Sequence, residues 1–221
     1  MGYGFCDRRL GQLGAGIDLD RMTYYTTSPR AYDKEPANIP ARHPLRATAK
    51  VLEVAPRNST IRIKAFVLTD WLAIDLFLHY GATHDLKIIL HHVDPKEDDD
   101  SDPTKKNTVT SIKSMLKYFQ RYQAYLLFEN IEIRVAHIMG GHCCKDGNTL
   151  MHEKVILTDD HAVYGSYNLT GAARCKHWES IRISKSLDEE KEFFDAHWNA
   201  LGTAREFTQY YPDRLPDSSK R

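Results

Sequence analysis

The sequence predicts an α/β fold, a sandwich with a mixed central sheet, and two of its features carry the prediction. Short apolar segments alternate along the chain with longer segments whose apolar residues recur at helical spacing. The chain is also long enough, at 221 residues of which 42% are hydrophobic, to bury one sizeable core. Strands that alternate with helices around one core are typical of layered α/β proteins. We therefore expect helices on both sides of one mixed sheet.

The composition divides the chain into three regions. Residues 1–45 are rich in Gly, Tyr, Pro and Arg without a sustained period, which predicts an N-terminal arm or an irregular cap packed on the domain. Residues 46–205 carry the alternating pattern and should form the folded domain. Residues 206–221 are polar and predict a tail. The sequence does not indicate what residues 1–45 do.

Six segments are predicted as strands from their length and their apolar side chains. In the first, Ile61, Ile63 and Ala65 share one face, because side chains two apart on a strand point the same way. The second is mostly apolar, as expected inside a sheet. In chain order the predicted strands are residues 59–68, 86–94, 131–138, 151–158, 161–168 and 177–184.

Four segments are predicted as helices. Thr69 or Asp70 caps the second, which closes near Gly81. The last begins with a capping box formed by Ser186 and Glu189. Its buried stripe would consist of Leu187, Phe194, Trp198 and Leu201. The predicted helices are residues 46–55, 71–81, 107–129 and the segment after Ser186, and an acidic loop is predicted over 95–106.

Charge and cysteine content narrow the class of protein. The 30 basic residues balance the 30 acidic ones, so the net charge counts against a nucleic-acid binder. The four cysteines have no framework spacing, which predicts reduced thiols in an intracellular, cytoplasmic protein. No apolar run reaches the ~20 residues of a membrane-spanning helix, and no secretory leader is present, so we expect no transmembrane anchor.

The sequence contains one set of candidate metal ligands. His142, Cys143, Cys144 and Cys175 have side chains that bind zinc, but their spacing lacks the C-x-x-C knuckle of structural zinc sites. We therefore expect no metal, and no function is indicated for Cys143, Cys144 or Cys175.

The segment 151–158 carries reactive side chains. On a strand His152 and Lys154 share one face, whereas Glu153 points to the other. Asp159 and Asp160 predict a tight turn, after which residues 161–168 return as the second strand of a hairpin.

The returning strand would add further polar groups. Tyr164, Ser166 and Asn168 would share one face, and Gly165 leaves space for the close approach of backbone or ligand. An imidazole, an ammonium group, a hydroxyl and an amide that converge in this way suit a tetrahedral anion.

The spacing of these residues resembles a known signature. His-x-Lys, four residues, Asp159, five residues and Gly-Ser-x-Asn is similar to the motif of the phospholipase D superfamily. Residues 66–94, 166–184 and 192–201 also resemble segments of that family, so the resemblance covers about residues 46–205. It implies a phospholipase D-like α-β-α sandwich and phosphodiesterase activity without a metal or cofactor.

The resemblance also implies roles for individual residues. His152 would be the nucleophile and form a phosphohistidine, while Lys154 and Asn168 hold the phosphate oxygens and Ser166 supports them. Glu179 would hydrogen-bond the second ring nitrogen of a histidine and fix its tautomer.

Two further positions are read from the same resemblance. Asp159 would order the turn rather than act as a catalytic acid. His177 stands where the family often has asparagine, so the resemblance assigns no polar partner there.

The motif occurs once in the chain. None of the other ten histidines has a lysine two positions further on. Cleavage through a histidine requires a second group that protonates the leaving oxygen, and in the family a second motif provides it. The resemblance therefore implies a homodimer with one shared site on its two-fold axis, as in bacterial single-motif nucleases and mitochondrial cardiolipin hydrolase-like proteins.

Three functions stay open on the sequence. The first is an endonuclease on DNA or RNA, against which the acidic segment 95–103 counts if it lies at the site. The second is a phospholipase D or cardiolipin hydrolase acting on phospholipid, against which the lack of a membrane anchor counts. The third is an idle dimer that binds phosphodiesters, and the intact His152 counts against it. Neither the natural substrate nor its strand or sequence preference can be read from the residues.

Overall fold

The computed structural model describes residues 12–20, 24–27, 39–40, 42–91, 130–136 and 152–201. These residues form a seven-stranded sheet and four helices. The strands are β1 (Tyr24–Thr26), β2 (Thr60–Ala65), β3 (Asp85–His91), β4 (Ile131–Ala136), β5 (Val155–Leu157), β6 (His161–Gly165) and β7 (Ser180–Lys185). The helices are α1 (Pro44–Val54), α2 (Trp71–Gly81), α3 (Gly171–Cys175) and α4 (Asp188–Ala200).

The sheet is mixed, as the sequence predicts. Its strand order is β1-β7-β6-β5-β2-β3-β4. β2, β3 and β4 run parallel, whereas β5, β6, β7 and β1 pair with their neighbours in antiparallel fashion. β5 and β6 form the predicted hairpin, and β5 joins it to the parallel half by pairing with β2.

Two hydrophobic clusters cover the two faces of the sheet. The larger one joins β2, β6 and β7 residues such as Ile63 and Ile183 to buried residues of α1 and α2. The smaller one joins Leu157 and Ala162 to Phe194 and Trp198 of α4. We refer to these as the α1–α2 face and the α4 face. Alternation along each strand therefore sends neighbouring side chains to opposite layers.

The helix starts follow from local capping. Asp70 is the N-cap of α2, and its Oδ1 accepts a hydrogen bond from the backbone N–H of Leu72 at 3.3 Å, which confirms one of the two predicted caps. The N-cap of α1 is His43, whose Nδ1 accepts from the N–H of Leu45 at 3.0 Å. Pro44 follows at the first helical position, where no N–H is required.

The predicted start of the last helix is wrong by one residue. α4 begins at Asp188 with Leu187 as its N-cap, and the carboxylate of Glu190, not Glu189, accepts from the N–H of Leu187 at 3.0 Å. Ser186 does not cap the helix because its N–H donates to the carbonyl oxygen of Asp160 in the hairpin turn. Leu187 is 55% exposed and does not belong to the buried stripe, whereas Phe194 and Trp198 are buried as predicted.

Strand ends differ from the alternation pattern. Strand pairing in the hairpin covers Val155–Leu157 and His161–Gly165 rather than 151–158 and 161–168, and β7 begins at Ser180 rather than at residue 177. β1 lies in the region predicted as an arm, and the sequence pattern did not predict it. The predicted helix over 107–129 and the acidic segment 95–106 lie outside the described residues.

Candidate active site

The two motif residues lie against one aromatic ring. His152 and Lys154 are in the segment that leads into β5, and both contact Phe66, the residue that follows β2. The ring centroids of His152 and Phe66 are 4.9 Å apart, and Lys154 Nζ lies 5.4 Å from the centroid of Phe66. Lys154 Nζ also donates to the carbonyl oxygen of His152 at 2.7 Å. The structure thus brings the imidazole and the ammonium group together on the side of Phe66.

The surroundings of His152 lower its pKa. Desolvation is the larger cause and the positive charge of Lys154 the smaller one. A lowered histidine pKa keeps the imidazole neutral at neutral pH, and the neutral form is the nucleophilic one. The pKa of Lys154 is lowered by burial, against the opposing charge of Glu179.

Glu179 is buried just before β7, and the chain around β1 holds its backbone. The N–H of Glu179 donates to the Thr27 hydroxyl oxygen at 2.7 Å, and the N–H of Thr27 donates to the Glu179 carbonyl at 2.8 Å. The Thr27 hydroxyl donates to the carbonyl of His177 at 2.7 Å. Sequence reasoning missed this role of Thr27, because no motif marks it and 150 residues separate it from its partner.

The histidine beside Glu179 in this structure is His177. Its Nδ1 lies 3.8 Å from Glu179 Oε1, too far for a hydrogen bond. The expected hydrogen bond from Glu179 to the ring of a catalytic histidine therefore stays a prediction.

The loop after β6 carries Ser166 and Asn168. The hydroxyl oxygen of Ser166 accepts the N–H of Ser180 at 3.1 Å, so β7 already uses one of its acceptor positions. Among the described residues, Asn168 Oδ1 is buried and has no hydrogen-bond partner. The next residue is anchored: the carbonyl of Leu169 accepts the N–H groups of Thr69 and Asp70 at 2.8 and 2.9 Å. A buried amide oxygen without a partner is an uncommon cost in a folded protein.

Gly165 and Tyr164 lie at the end of β6, where β7 packs closely against the strand. A Cβ at Gly165 would overlap the carbonyl oxygen of Ser180 and lie 2.8 Å from Ile181 Cα, so glycine is needed for the approach of β7. The prediction that Tyr164 shares a face with Ser166 and Asn168 stays a prediction. Tyr164 packs on the α4 face, and a hydrogen bond with Glu190 helps burial to raise its pKa.

The remaining sequence candidates lie elsewhere. Asp159 is exposed in the bend between β5 and β6, and its carbonyl accepts from Lys191 Nζ at 3.3 Å. Cys175 is a free, half-buried thiol at the end of α3, and the other three possible zinc ligands are outside the described residues. In the part of the chain that the structure describes, no three His, Cys, Asp or Glu side chains form a metal cluster.

A buried ion pair connects α3, which follows the loop after β6, to the start of α2. Arg174 Nε donates to Asp70 Oδ2 at 2.8 Å, and both side chains are almost fully buried. His43 Nε2 lies 3.1 Å from the carbonyl oxygen of Arg174. Tyr167, whose ring contacts that of His43, has a buried hydroxyl group without a hydrogen-bond partner. Because Asp70 also caps α2, these contacts fix the loop after β6 to the start of that helix.

Known structures share the fold. No protein-family model and no curated protein matches the sequence. A phospholipase D family member from Salmonella typhimurium, Nuc, matches at 19% identity and a TM-score of 0.45, over 70% of this chain and 85% of that one. NucT from Helicobacter pylori matches at 16% identity and a TM-score of 0.46, over 69% and 85%. A phosphatidylserine synthase from Haemophilus influenzae matches at 9% identity and a TM-score of 0.51, over 83% and 42%.

These findings define the class of protein by its fold. The chain is an α/β sandwich with a mixed central sheet whose fold is similar to that of the Haemophilus phosphatidylserine synthase, and the α/β fold class with a mixed sheet predicted from the sequence is confirmed. The similarity to the Haemophilus synthase carries this conclusion, since it extends over 83% of the chain. At an identity this low, structural similarity establishes a shared fold but not a shared activity. The activity has to be inferred from the residues of the site.

Proposed function

We propose that the protein is a metal-independent phosphodiesterase that acts through a phosphohistidine on His152. The observation that carries the proposal is the pairing of this imidazole with the ammonium group of Lys154 against Phe66. Desolvation and a neighbouring positive charge favour the neutral, nucleophilic imidazole. The same ammonium group is available to a phosphate oxygen, since phosphate is a stronger partner than the carbonyl of His152 that it now contacts.

The first step of the reaction transfers the phosphoryl group to the protein. A ring nitrogen of His152 attacks phosphorus, a P–N bond forms, and the P–O bond to the leaving group breaks. Lys154 and Asn168 hold the phosphate oxygens as charge develops, which is the role that a metal ion has in other phosphodiesterases. Lys154 supplies positive charge in this step, and the amide NH₂ of Asn168 and the hydroxyl of Ser166 would add neutral hydrogen-bond donors.

The leaving oxygen needs a proton that one copy of the motif does not supply. In the proposed homodimer, His152 of the second copy starts as an imidazolium, donates this proton, and then takes one from the water that attacks phosphorus as the P–N bond breaks. That second step releases the phosphate product and restores the neutral imidazole of the nucleophile and the protonated imidazolium of the acid. Two identical histidines thus act in turn as nucleophile and as acid–base, with the two-fold axis through the site.

Nucleic acid is the proposed substrate. Trp178, one residue before Glu179, is 72% exposed, and exposed aromatic rings stack on unpaired bases. Lys176 is exposed nearby and adds a positive charge for the backbone. No helix of the described residues is long and apolar enough to cross a bilayer. Endonuclease action on single-stranded DNA or RNA is therefore the specific form of the proposal.

The test offers purified protein single-stranded DNA, RNA and cardiolipin in parallel, each with EDTA. We expect cleavage of a nucleic acid to persist in the chelator, and rapid quench with labelled substrate to trap an acid-labile, base-stable phosphoramidate on His152. Cleavage of cardiolipin alone would replace the proposed substrate by a phospholipid. Loss of all activity in EDTA, with recovery on adding magnesium or zinc, would overturn the mechanism.

A further inference from the structure

A buried lysine on the opposite side of the sheet contacts the residue between the two motif side chains. Lys64 of β2 lies on the α4 face with its side chain 3% exposed, and its Nζ is 2.7 Å from Glu153 Oε2. Glu153 lies between His152 and Lys154 in the chain, so its side chain points away from theirs. The site segment is therefore attached through the sheet to the layer beneath it.

The sheet hydrogen bonds do not reach this segment. The register of β5 with β2 runs from Leu157 to Val155, which is opposite Lys64, and residues 152–154 continue beyond it. The contacts that orient this segment include those with Phe66 and the ion pair of Glu153. Of these, the ion pair is directed and charged, and it fixes which way the alternating side chains point.

Lys64 is itself held rigidly. Its ammonium group lies 4.8 Å from the ring centroid of Phe193 and 5.8 Å from that of Phe194, both on α4. A lysine this deeply buried stays charged at a large cost in desolvation unless a carboxylate compensates it. Glu153 is the carboxylate in contact, and with 48% of its side chain exposed it can turn to water if Lys64 is removed.

We propose that Lys64 is a positioning residue for the reaction. Through Glu153 it fixes the direction of residues 152–154, so that the imidazole of His152 and the ammonium group of Lys154 face the phosphate. Lys64 does not touch the substrate, because it lies on the other face of the sheet. The kinetic test of this inference rests on the proposed phosphodiesterase function. The structural test rests only on the ion pair between Lys64 and Glu153.

The test compares two lysines on the same face of the sheet, each paired with a carboxylate and close to an aromatic ring of α4. Lys64→Met removes the ion pair but leaves no buried charge, since Glu153 turns to water. Lys87→Met is the control: Lys87 lies on β3, pairs with Asp195 at 3.3 Å and sits 5.7 Å from the ring of Trp198, all on the α4 face. In the part of the chain that the structure describes, Lys87 contacts none of residues 152–154.

The expected result is a loss in turnover rather than in binding. Misplacement of reacting groups by a fraction of an ångström lowers kcat by about tenfold, while KM changes by less than about twofold. Lys64→Arg, which keeps the charge, should recover most of the rate. Adding Glu153→Gln to Lys64→Met should cost nothing more, because the interaction is already gone. Lys87→Met should leave kcat unchanged.

A second readout does not need activity. The His152 imidazole is followed by NMR of histidine-labelled protein, with its signal assigned by its absence in His152→Ala. We expect Lys64→Met to shift and broaden this signal, and Lys87→Met to leave it in place. An inactive wild type would remove the proposed function, and the imidazole signal would still decide the positioning role. An unchanged signal in Lys64→Met, or equal changes in both lysine variants, would overturn the inference.

Discussion

The contact between His152 and Phe66 decides the protonation state on which the proposed chemistry depends. Desolvation there, helped by Lys154, holds the histidine pKa below its ordinary value of about 6.5. A lowered pKa keeps the imidazole neutral to lower pH, so the acid limb of the kcat/KM profile should lie below that value. In Lys154→Gln the repelling charge is gone, and the pKa of His152 should rise while staying below 6.5.

The measurement is an NMR titration of the His152 ring in both proteins. His161, on the following strand of the same hairpin, serves as the internal reference, because in the described part of the chain its hydrogen bonds are with Thr158 rather than Lys154. A wild-type pKa at or above 6.5, or no rise in Lys154→Gln, would contradict the assigned cause.

Removal of the imidazole should abolish the reaction without unfolding the chain. His152 is exposed and leads into β5 outside the strand pairing, so His152→Ala removes little buried surface. Because the same residue serves both as nucleophile and as acid in the proposed dimer, we expect a loss of more than about 1,000-fold in kcat. His161→Ala is the control and should keep most of the rate. Folded His152→Ala protein with near wild-type activity would remove the central assumption of the mechanism.

At the scale of elements, the start of α1 should make stability depend on pH. His43 is buried, its Nδ1 accepts the N–H of Leu45, and burial lowers its pKa to about 4. The unfolded chain binds a proton at about 6.5 and the folded chain only near 4, so stability is lost as pH falls through this window. Between pH 7 and pH 5 this histidine should reduce the free energy of unfolding by about 2 kcal/mol.

Urea unfolding at the two pH values measures this loss. His43→Asn keeps a good N-cap side chain but does not titrate, so its stability should fall less between pH 7 and pH 5, by about the same 2 kcal/mol. Equal pH dependence of the wild type and His43→Asn would show that His43 is not the group responsible.

At the scale of the whole molecule, the proposed mechanism requires a second copy of the motif from another chain. Activity should therefore fall on dilution more steeply than protein concentration, as the dimer dissociates. Analytical ultracentrifugation over the same concentrations should show the monomer appearing as the specific activity declines. A fully active monomer would require another acid within one chain.

Mixed dimers test the sharing of the site directly. A dimer of one His152→Ala chain and one Lys154→Ala chain retains only one His152 side chain, so it should not recover the wild-type rate. Recovery to half the wild-type rate or more would show that one His152 side chain is enough and would contradict the two-histidine mechanism.

Local pattern was sufficient for much of the fold and for the choice of candidate site residues. The spacing of His152, Lys154 and Asp159, the cap at Asp70 and the burial of Phe194 follow from residues that are close in sequence. Helix caps and strand alternation depend on such neighbours, which is why they can be read without a structure. The hairpin was predicted for the same reason, since its turn lies between its two strands.

Strand ends and cross-sheet contacts required the packed chain. Alternation continues through residues 151–154, but the pairing of β5 with β2 stops at Val155, opposite Lys64. Phe66, Lys64 and Thr27 reach the site segment or Glu179 across at least 86 positions of sequence, and no motif marks such contacts. The proposed reactive side chains, His152 and Lys154, thus lie in one short segment. Its protonation and orientation depend on side chains that only the register of the sheet brings beside it.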